Sequence, residues 1–408
     1  MRLPILFTLL AACSGGNDRD VIAARQLPAA LKDDAAAIAR ANNQFACDVY
    51  AQLAPGDGNH FFSPFSISTA LAMTDAGAAG TTDAELRTAL HLGLPGARTH
   101  QAIGAVLASL DTGRDFGAYT LTTANGLFGQ RGFSFLPAFT ATMSHDYGAE
   151  LTSVDFAGAP EAARDAINNW VSSQTDQKIP ELFAEGTIDA SSRLVLANAI
   201  LFKGTWARKF DHGATASQVF HQANGQTVQV PMMQKSDALA TAAIPGGTLG
   251  ILPFHGDDLS LVVVLPDAAD GLPAIEAQLT SDAIAQWIAL AQVTEERQVA
   301  LPKLELESSV DARAVLESLG VTSAFDPDLA DFSGIDGARD LFVESIIHKA
   351  VIKVDEDGAE AAAATGVGIG TTSTPAPFIA DRPFAFFIFD HVTGSILFMG
   401  RVTDPTRS

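Results

Sequence analysis

One stretch near the C-terminal end limits what this chain can fold into more than any other. It runs from Asp355 to Phe384 and reads DEDGAEAAAATGVGIGTTSTPAPFIADRPF. From Ala359 to Ala364 it is alanine except for Glu360. From Thr365 onward β-branched residues alternate with glycine: Thr365, Val367, Ile369 and Thr371 against Gly366, Gly368 and Gly370. Side chains of a strand alternate between its two faces. One face therefore carries Ala359, Ala361, Ala363, Thr365, Val367, Ile369 and Thr371, and it can enter a sheet without burying a charge. The opposite face, with Glu360, Ala362, Ala364 and the glycines, is small enough to meet solvent or a covering helix. Yet the stretch also has the Gly, Ser, Thr and Pro content of an exposed loop. A central strand's pattern written on a loop marks a segment that changes state. The competing reading is a plain Gly/Ala/Thr connector, which has no reason to keep its branched residues on one face.

A segment of that kind needs a sheet to receive it, and the chain is large enough to build one. Its 408 residues are 47% apolar, enough for a sizeable core in one large domain or two ordinary ones. The net charge of −22 argues against nucleic acid, anionic membrane surfaces and sulfated polysaccharides such as heparin as partners. The two cysteines, Cys13 and Cys47, exclude a disulfide framework beyond a single pair. No apolar run reaches the ~18 residues of a membrane span.

The N-terminus has a basic residue, Arg2, a short apolar core from Leu3 to Leu10, and then small residues, which is the pattern of a secretory signal. Leu10-Ala11-Ala12-Cys13 also resembles the lipobox of bacterial lipoproteins. That resemblance implies cleavage before Cys13, acylation of its thiol and an extracytoplasmic location, lipid-anchored to the cell envelope or secreted. Cys47 is then a lone thiol, expected to be buried on a helix. The expected division is a signal peptide over 1–12, a lipidated or flexible tether over 13–34 and one folded domain over 35–408.

Along that domain, helical spacing runs through Ala35–Leu53, Ser68–Met73, Leu136–Tyr147, Ala162–Thr175, Ile275–Leu290 and Ala312–Leu319. Another helix is expected over Thr82–Leu90, with Thr82 as cap and Glu85 as its capping-box partner. Strands are expected over Leu121–Phe128, Leu194–Phe202, Leu259–Leu265, Gln298–Leu306 and Phe342–Asp355. Two hairpins are expected, at Asn224-Gly225 and at Thr393-Gly394. The run LVLANAILF suits a strand buried on both faces. Helices dominate the first third and strands the rest, which predicts one α+β domain on large sheets.

Several blocks, in order, resemble the serpin family over roughly Ala41 to Pro405. Asn59 to Ser68 (NHFFSPFSIS) resembles NxFFSPxSIS, and Gly77 to Thr82 (GAAGTT) resembles GAxGxT. Asn169-Trp170-Val171 with Thr175 and Lys178-Ile179 resembles NxWVxxxTxGKI, with Gln177 where glycine is usual. Asn198 to Trp206 (NAILFKGTW) resembles NAIYFKGxW. His348-Lys349-Ala350, Glu356 to Ala363, Arg382-Pro383-Phe384 and Phe398 to Val402 resemble HKA, EEGTEAAA, RPF and FMGxV. The resemblance implies three β-sheets, about nine helices and an exposed reactive-centre loop from Gly358 to about Ile379. It implies a suicide inhibitor: a serine protease, or a cysteine protease, is acylated by the loop, and the loop then enters the main sheet and distorts the enzyme before deacylation. A monomer with no cofactor and no metal is expected.

Carried residue by residue, the resemblance makes Glu356, Gly358, Ala359, Glu360, Ala361, Ala362, Ala363, Ala364 and Thr365 the hinge. Ser63, Ser66, Asn198 and His348 form the shutter where the sheet opens, and Trp206 marks the breach where insertion begins. By loop length the reactive bond falls at Thr372-Ser373, with Thr371-Thr372 and Ser373-Thr374 as neighbours. A Thr before the cut suits an elastase-like or subtilisin-like protease with a small pocket. The residues support the inhibitory branch independently: no Pro or charge lies on the inward face from Ala359 to Thr371, and such a strand spans roughly 40 Å. The alternative is a serpin-fold binding or substrate protein that does not inhibit. An enzyme finds no footing, because GxSxG, HExxH and P-loop motifs are all missing from the sequence.

Overall fold

The computed structural model describes residues 25–54, 56, 58–115, 119–293, 295–344, 346–358 and 375–407. Among them are ten α-helices and sixteen strands. The first half holds α1 (Lys32–Leu53), β1 (His60–Phe62), α2 (Pro64–Asp75), α3 (Gly80–Ala89), α4 (Gly96–Asp115), β2 (Tyr119–Gln130), α5 (Pro137–Tyr147), β3 (Leu151–Val154), α6 (Pro160–Gln174) and β4 (Leu194–Gly204). Next come β5 (Ala216–His221), β6 (Thr227–Asp237), β7 (Ala240–Ile244), β8 (Gly247–Pro253), β9 (Leu259–Pro266), α7 (Leu272–Glu276), α8 (Ser281–Leu290), β10 (Gln292–Val293), β11 (Arg297–Pro302), β12 (Leu304–Asp311) and α9 (Ala312–Ser318). The last elements are α10 (Ser333–Asp336), β13 (Ile347–Val354), β14 (Phe378–Ile379), β15 (Phe384–Asp390) and β16 (Ser395–Val402).

The strands form three sheets. Seven are ordered β1-β16-β15-β9-β8-β7-β10, four β14-β11-β6-β5, and five β12-β13-β4-β2-β3. The first sheet is the core. Every residue of β9, β15 and β16 is buried, as their near-continuous apolar runs require. Helices α1 and α2 share its apolar cluster, through Phe45, Val49, Phe65 and Leu71. A smaller cluster joins α6 (Ile167, Val171) to the five-stranded sheet through Phe128, Ala197 and Ala199.

Several expectations are corrected at this level. Helix α2 begins at Pro64, not Ser68: Pro occupies the first turn, where its missing N–H is harmless, and the Ser63 hydroxyl caps it from 3.0 Å. Thr82 does not cap α3, which starts at Gly80. It is buried inside that helix, where its hydroxyl accepts from Asp331 N, and Glu85 accepts from the backbone of Thr322 and Ser323. The single helix expected over Ile275–Leu290 is two, parted at 277–280, with Thr280 capping α8. The strand expected over Gln298–Leu306 is also two, in different sheets, because the chain changes sheet at Lys303 after Pro302. The strand expected over Phe342–Asp355 begins only at Ile347. Helix α4 and the β7–β8 hairpin were not assigned from the sequence, although Ile103, Val106, Leu107 and Leu110 of α4 repeat at helical spacing and are buried. Gly104 in α4 serves packing, since a Cβ there would meet the Asp146 backbone at 2.6 Å.

Arg25, which the sequence assigns to the tether, is buried. Its guanidinium pairs with Asp390 at 2.9 Å and donates to the Ser109 carbonyl, so the chain is pinned before α1. Cys47 lies buried in α1, where burial pushes its thiol up to about 12.

Candidate functional site

The site is the middle of the five-stranded sheet. Strand β4 pairs with β2 over eleven residues, and β13 with β12 over eight. Between β4 and β13 only two pairs form, Ala350–Ile200 and Val351–Leu201, and they are parallel. Below them the strands part around a cavity of about 150 Å³, lined by Leu194, Leu196 and Asn198 on one side and Ile346 and His348 on the other. This gap, which opens to the surface past Ser191 and Phe342, leaves the facing edges of the two strands unpacked against each other, unlike a close-packed interior. The floor includes Ile67 and Leu71 of α2.

At the upper edge of the cavity a polar cluster links α2 to both strands. Ser63 N donates to His348 Nε2 at 3.0 Å, and the Ser63 hydroxyl donates to the Leu397 carbonyl. The Ser66 hydroxyl donates to Asn198 Oδ1, and Asn198 Nδ2 donates to Asn125 Oδ1 at 2.8 Å. All are buried. Burial lowers the His348 imidazole to about 4, so it stands neutral and can accept from Ser63. These bonds can change partners if the strands separate.

Above the two strand pairs, residues 355–358 close a turn. Asp355 N donates to the Gly358 carbonyl at 2.9 Å, and Gly358 N to that of Asp355 at 3.2 Å. Gly358 also bridges Thr205 in antiparallel fashion. Its φ is +135°, and a Cβ would overlap the Gly204 carbonyl, so only glycine fits. The turn is held from the 205–215 segment. Trp206 Nε1 donates to the Asp355 carbonyl at 2.9 Å, Trp206 N to that of Asp357 and Phe210 N to that of Glu356. Trp206 is itself fixed by stacking on Phe254, centroids 4.7 Å apart. The Glu356 carboxylate meets Lys303 at 2.8 Å and the Thr215 hydroxyl at 2.7 Å. Burial would raise its pKa, but the Lys303 and Thr215 bonds outweigh that and hold it below the usual value.

The structure thus brings Ser63, Ser66, Asn198 and His348 into one cluster and sets Trp206, Glu356 and Gly358 at the head of the β4–β13 junction. Ala359, Glu360, Ala361, Ala362, Ala363, Ala364 and Thr365, the Thr372-Ser373 bond and Cys13 lie outside the described residues. Sequence reasoning missed Asn125, which is visible only as an asparagine inside an apolar strand. It also missed Lys209, His212, Thr215, Lys303 and Asp357, which meet only through the fold. The Ser260 hydroxyl and His391 Nε2 lie 2.7 Å apart, but Ser260 is wholly buried in β9, out of reach of any substrate.

Three sheets, a split central strand pair and a clamped turn leading into the Ala- and Gly-rich segment define the class. A family profile described as Serpin (serine protease inhibitor) matches residues 40–405. The leukocyte elastase inhibitor of Bos taurus is 42% identical over 379 residues, covering 90% of this chain and 99% of that protein. Uncleaved ovalbumin superposes with a TM-score of 0.83 at 28% identity, covering 90% of this chain and all of ovalbumin. Serpin48 of the insect Tenebrio molitor gives 0.79 at 34% identity, covering 90% and 98%. The chain belongs to the serpin family of serine protease inhibitors.

Proposed function

We propose that the chain is a suicide substrate for an elastase-like or subtilisin-like serine protease, cut at Thr372-Ser373, and that insertion of residues 359–371 between β4 and β13 traps the acyl-enzyme. One observation carries this reading. Gly358 already bridges Thr205 after β4 and Asp355 after β13, both antiparallel. A strand continued from Gly358 down both neighbours brings Ala363 opposite Ile200 on one side and Ala350 on the other. Those two residues already face each other across the junction. The registers come from separate contacts and close without slip.

The same register assigns each inserted residue a place. Thr365 falls between Asn198 and His348, and Val367 between Leu196 and Ile346, which line the cavity. Glu360 falls between Lys203 and Lys353, so the one charge in the alanine run meets two opposite charges. Alanine and glycine on the alternate face fit beneath α6 and its cluster. The new strand is antiparallel to both neighbours and replaces a two-pair parallel contact with a full ladder on each side. Ladder bonds at about 1 kcal/mol each make a large driving term. The target class rests on the small Thr372 and on the likeness to proteins named as leukocyte elastase inhibitors.

The test incubates the purified protein with pancreatic elastase and with subtilisin. The expected result is a denaturant-stable band at the summed mass and a released peptide starting at Ser373. Clean cleavage with active protease left over and no denaturant-stable complex overturns the trapping mechanism. For location we propose acylation of Cys13, supported by Leu10-Ala11-Ala12-Cys13. Labelled fatty acid should be incorporated by the intact chain and lost in Cys13→Ser.

A further inference from the structure

We infer that Asp357, held by Lys209 and His212, is a positioning group that fixes the tip of the inserting hairpin. The inference rests on the insertion reading above and assigns it residues outside the cluster and hinge already named. The turn at 355–358 is the tip about which residue 359 onward folds back on β13. Its two central residues, Glu356 and Asp357, are both buried carboxylates, 3% and 6% exposed. Glu356 is gripped by Lys303 and Thr215. Asp357 has its own partners: Oδ1 receives Lys209 Nζ at 3.0 Å, and Oδ2 faces His212 Nε2 at 3.1 Å. His212 spans both residues, its Nδ1 lying 3.8 Å from Glu356 Oε2. Asp357 N adds a bond to Asp355 Oδ1 at 3.1 Å.

A one-residue slip in a strand exchanges its two faces. Here such a slip would turn Glu360 onto the core face beside Phe202 and carry Val367 and Ile369 away from the cavity. The backbone bonds from Trp206 and Phe210 and the Glu356 pair hold the turn's main chain and one carboxylate, and the Asp357 contacts fix the remaining side chain, so the strand starts in register. The acyl-enzyme faces two competing fates, insertion and hydrolysis. A mobile tip delays the first without touching the second.

The test compares the wild type with Lys209→Ala/His212→Ala and with the milder Asp357→Asn. Three quantities are read: inhibitor consumed per protease inactivated, initial rate of loop cleavage, and thermal midpoint of the intact form. The expected result is a rise in inhibitor consumed of about threefold to tenfold, the range for losing part-buried ion pairs at a branch between competing rates. The cleavage rate should not change. The exchanged pair Lys209→Asp/Asp357→Lys should recover most of the loss, which a merely structural defect would not do. Consumption equal to wild type in both variants overturns the inference while leaving insertion standing, as does failure of the exchanged pair to recover in a protein that melts normally. A wild type that forms no stable complex and gains no thermal stability on cleavage overturns the insertion reading itself, and this inference with it.

Discussion

His348 carries the sharpest consequence at the scale of single residues. It is neutral in the fold and lowered to about 4 by burial, whereas in the unfolded chain it titrates near its ordinary value of about 6.5. Below that value the unfolded chain binds the proton and the folded one does not. Its stabilising contribution is therefore complete above pH 6.5 and lost as pH falls toward 4, by about 3 kcal/mol. Urea midpoints across that window should fall steeply for wild type and less for His348→Gln. A second residue was legible as an oddity. Gln177 stands where the motif that this segment resembles has glycine, and the structure gives it φ +62°, with Asp176 beside it at +48°. A side chain in the left-handed region costs about 1 kcal/mol or more, so Gln177→Gly should raise unfolding free energy by roughly 0.5–1 kcal/mol, measured by denaturant titration. The sequence showed that Gln177 was out of place but not that Asp357, Lys209 and His212 would meet. Their separation along the chain exceeds 140 residues, and no local pattern encodes such a contact.

Among the elements, the proposed function turns on the junction of β4 and β13. Ala350 and Ile200 are fully buried on either side of it. Replacing Ala363 with arginine would bring an unpaired charge between them. Ala363→Arg should still be cut by the protease but form no denaturant-stable complex, as read on a gel. Survival of full inhibition would sink the insertion mechanism. Period-2 and period-3.6 patterns found α1, α5, α6, β2, β4, β9 and the terminal hairpin, because each buries one face or both in the same neighbour throughout. Patterns failed where the environment changes midway. Lys303 joins strands in two sheets, and Thr280 starts a new helix. Helix α4 is a different case: Ile103, Val106, Leu107 and Leu110 repeat at helical spacing and are buried, beside Gly104 and the buried polar Thr99 and His100, so its pattern was present in the sequence. The cavity has its own trace in the sequence only in hindsight: Leu194 to Leu196 begin an apolar run yet are only half-buried, because they line empty space.

At the scale of the molecule, the five-stranded sheet is split at its centre, and in the proposed function that split is room for one more strand. The antiparallel ladders β2–β4 and β12–β13 frame a two-pair parallel contact in the middle, and residues 359–371 are proposed as the strand that would fill it. The three-sheet class was legible in the amino-acid order, and so was the segment proposed to insert. That order did not show where the segment would dock, because the register depends on Gly358 touching Thr205 and Asp355 at once. The most direct measurement is the thermal midpoint of the protein after a single nick in its loop, compared with the intact form. Insertion of a strand with ladders on both sides predicts a rise of about 10 °C or more. A midpoint that stays level or falls would contradict the account, because the segment would then have no place in the sheet.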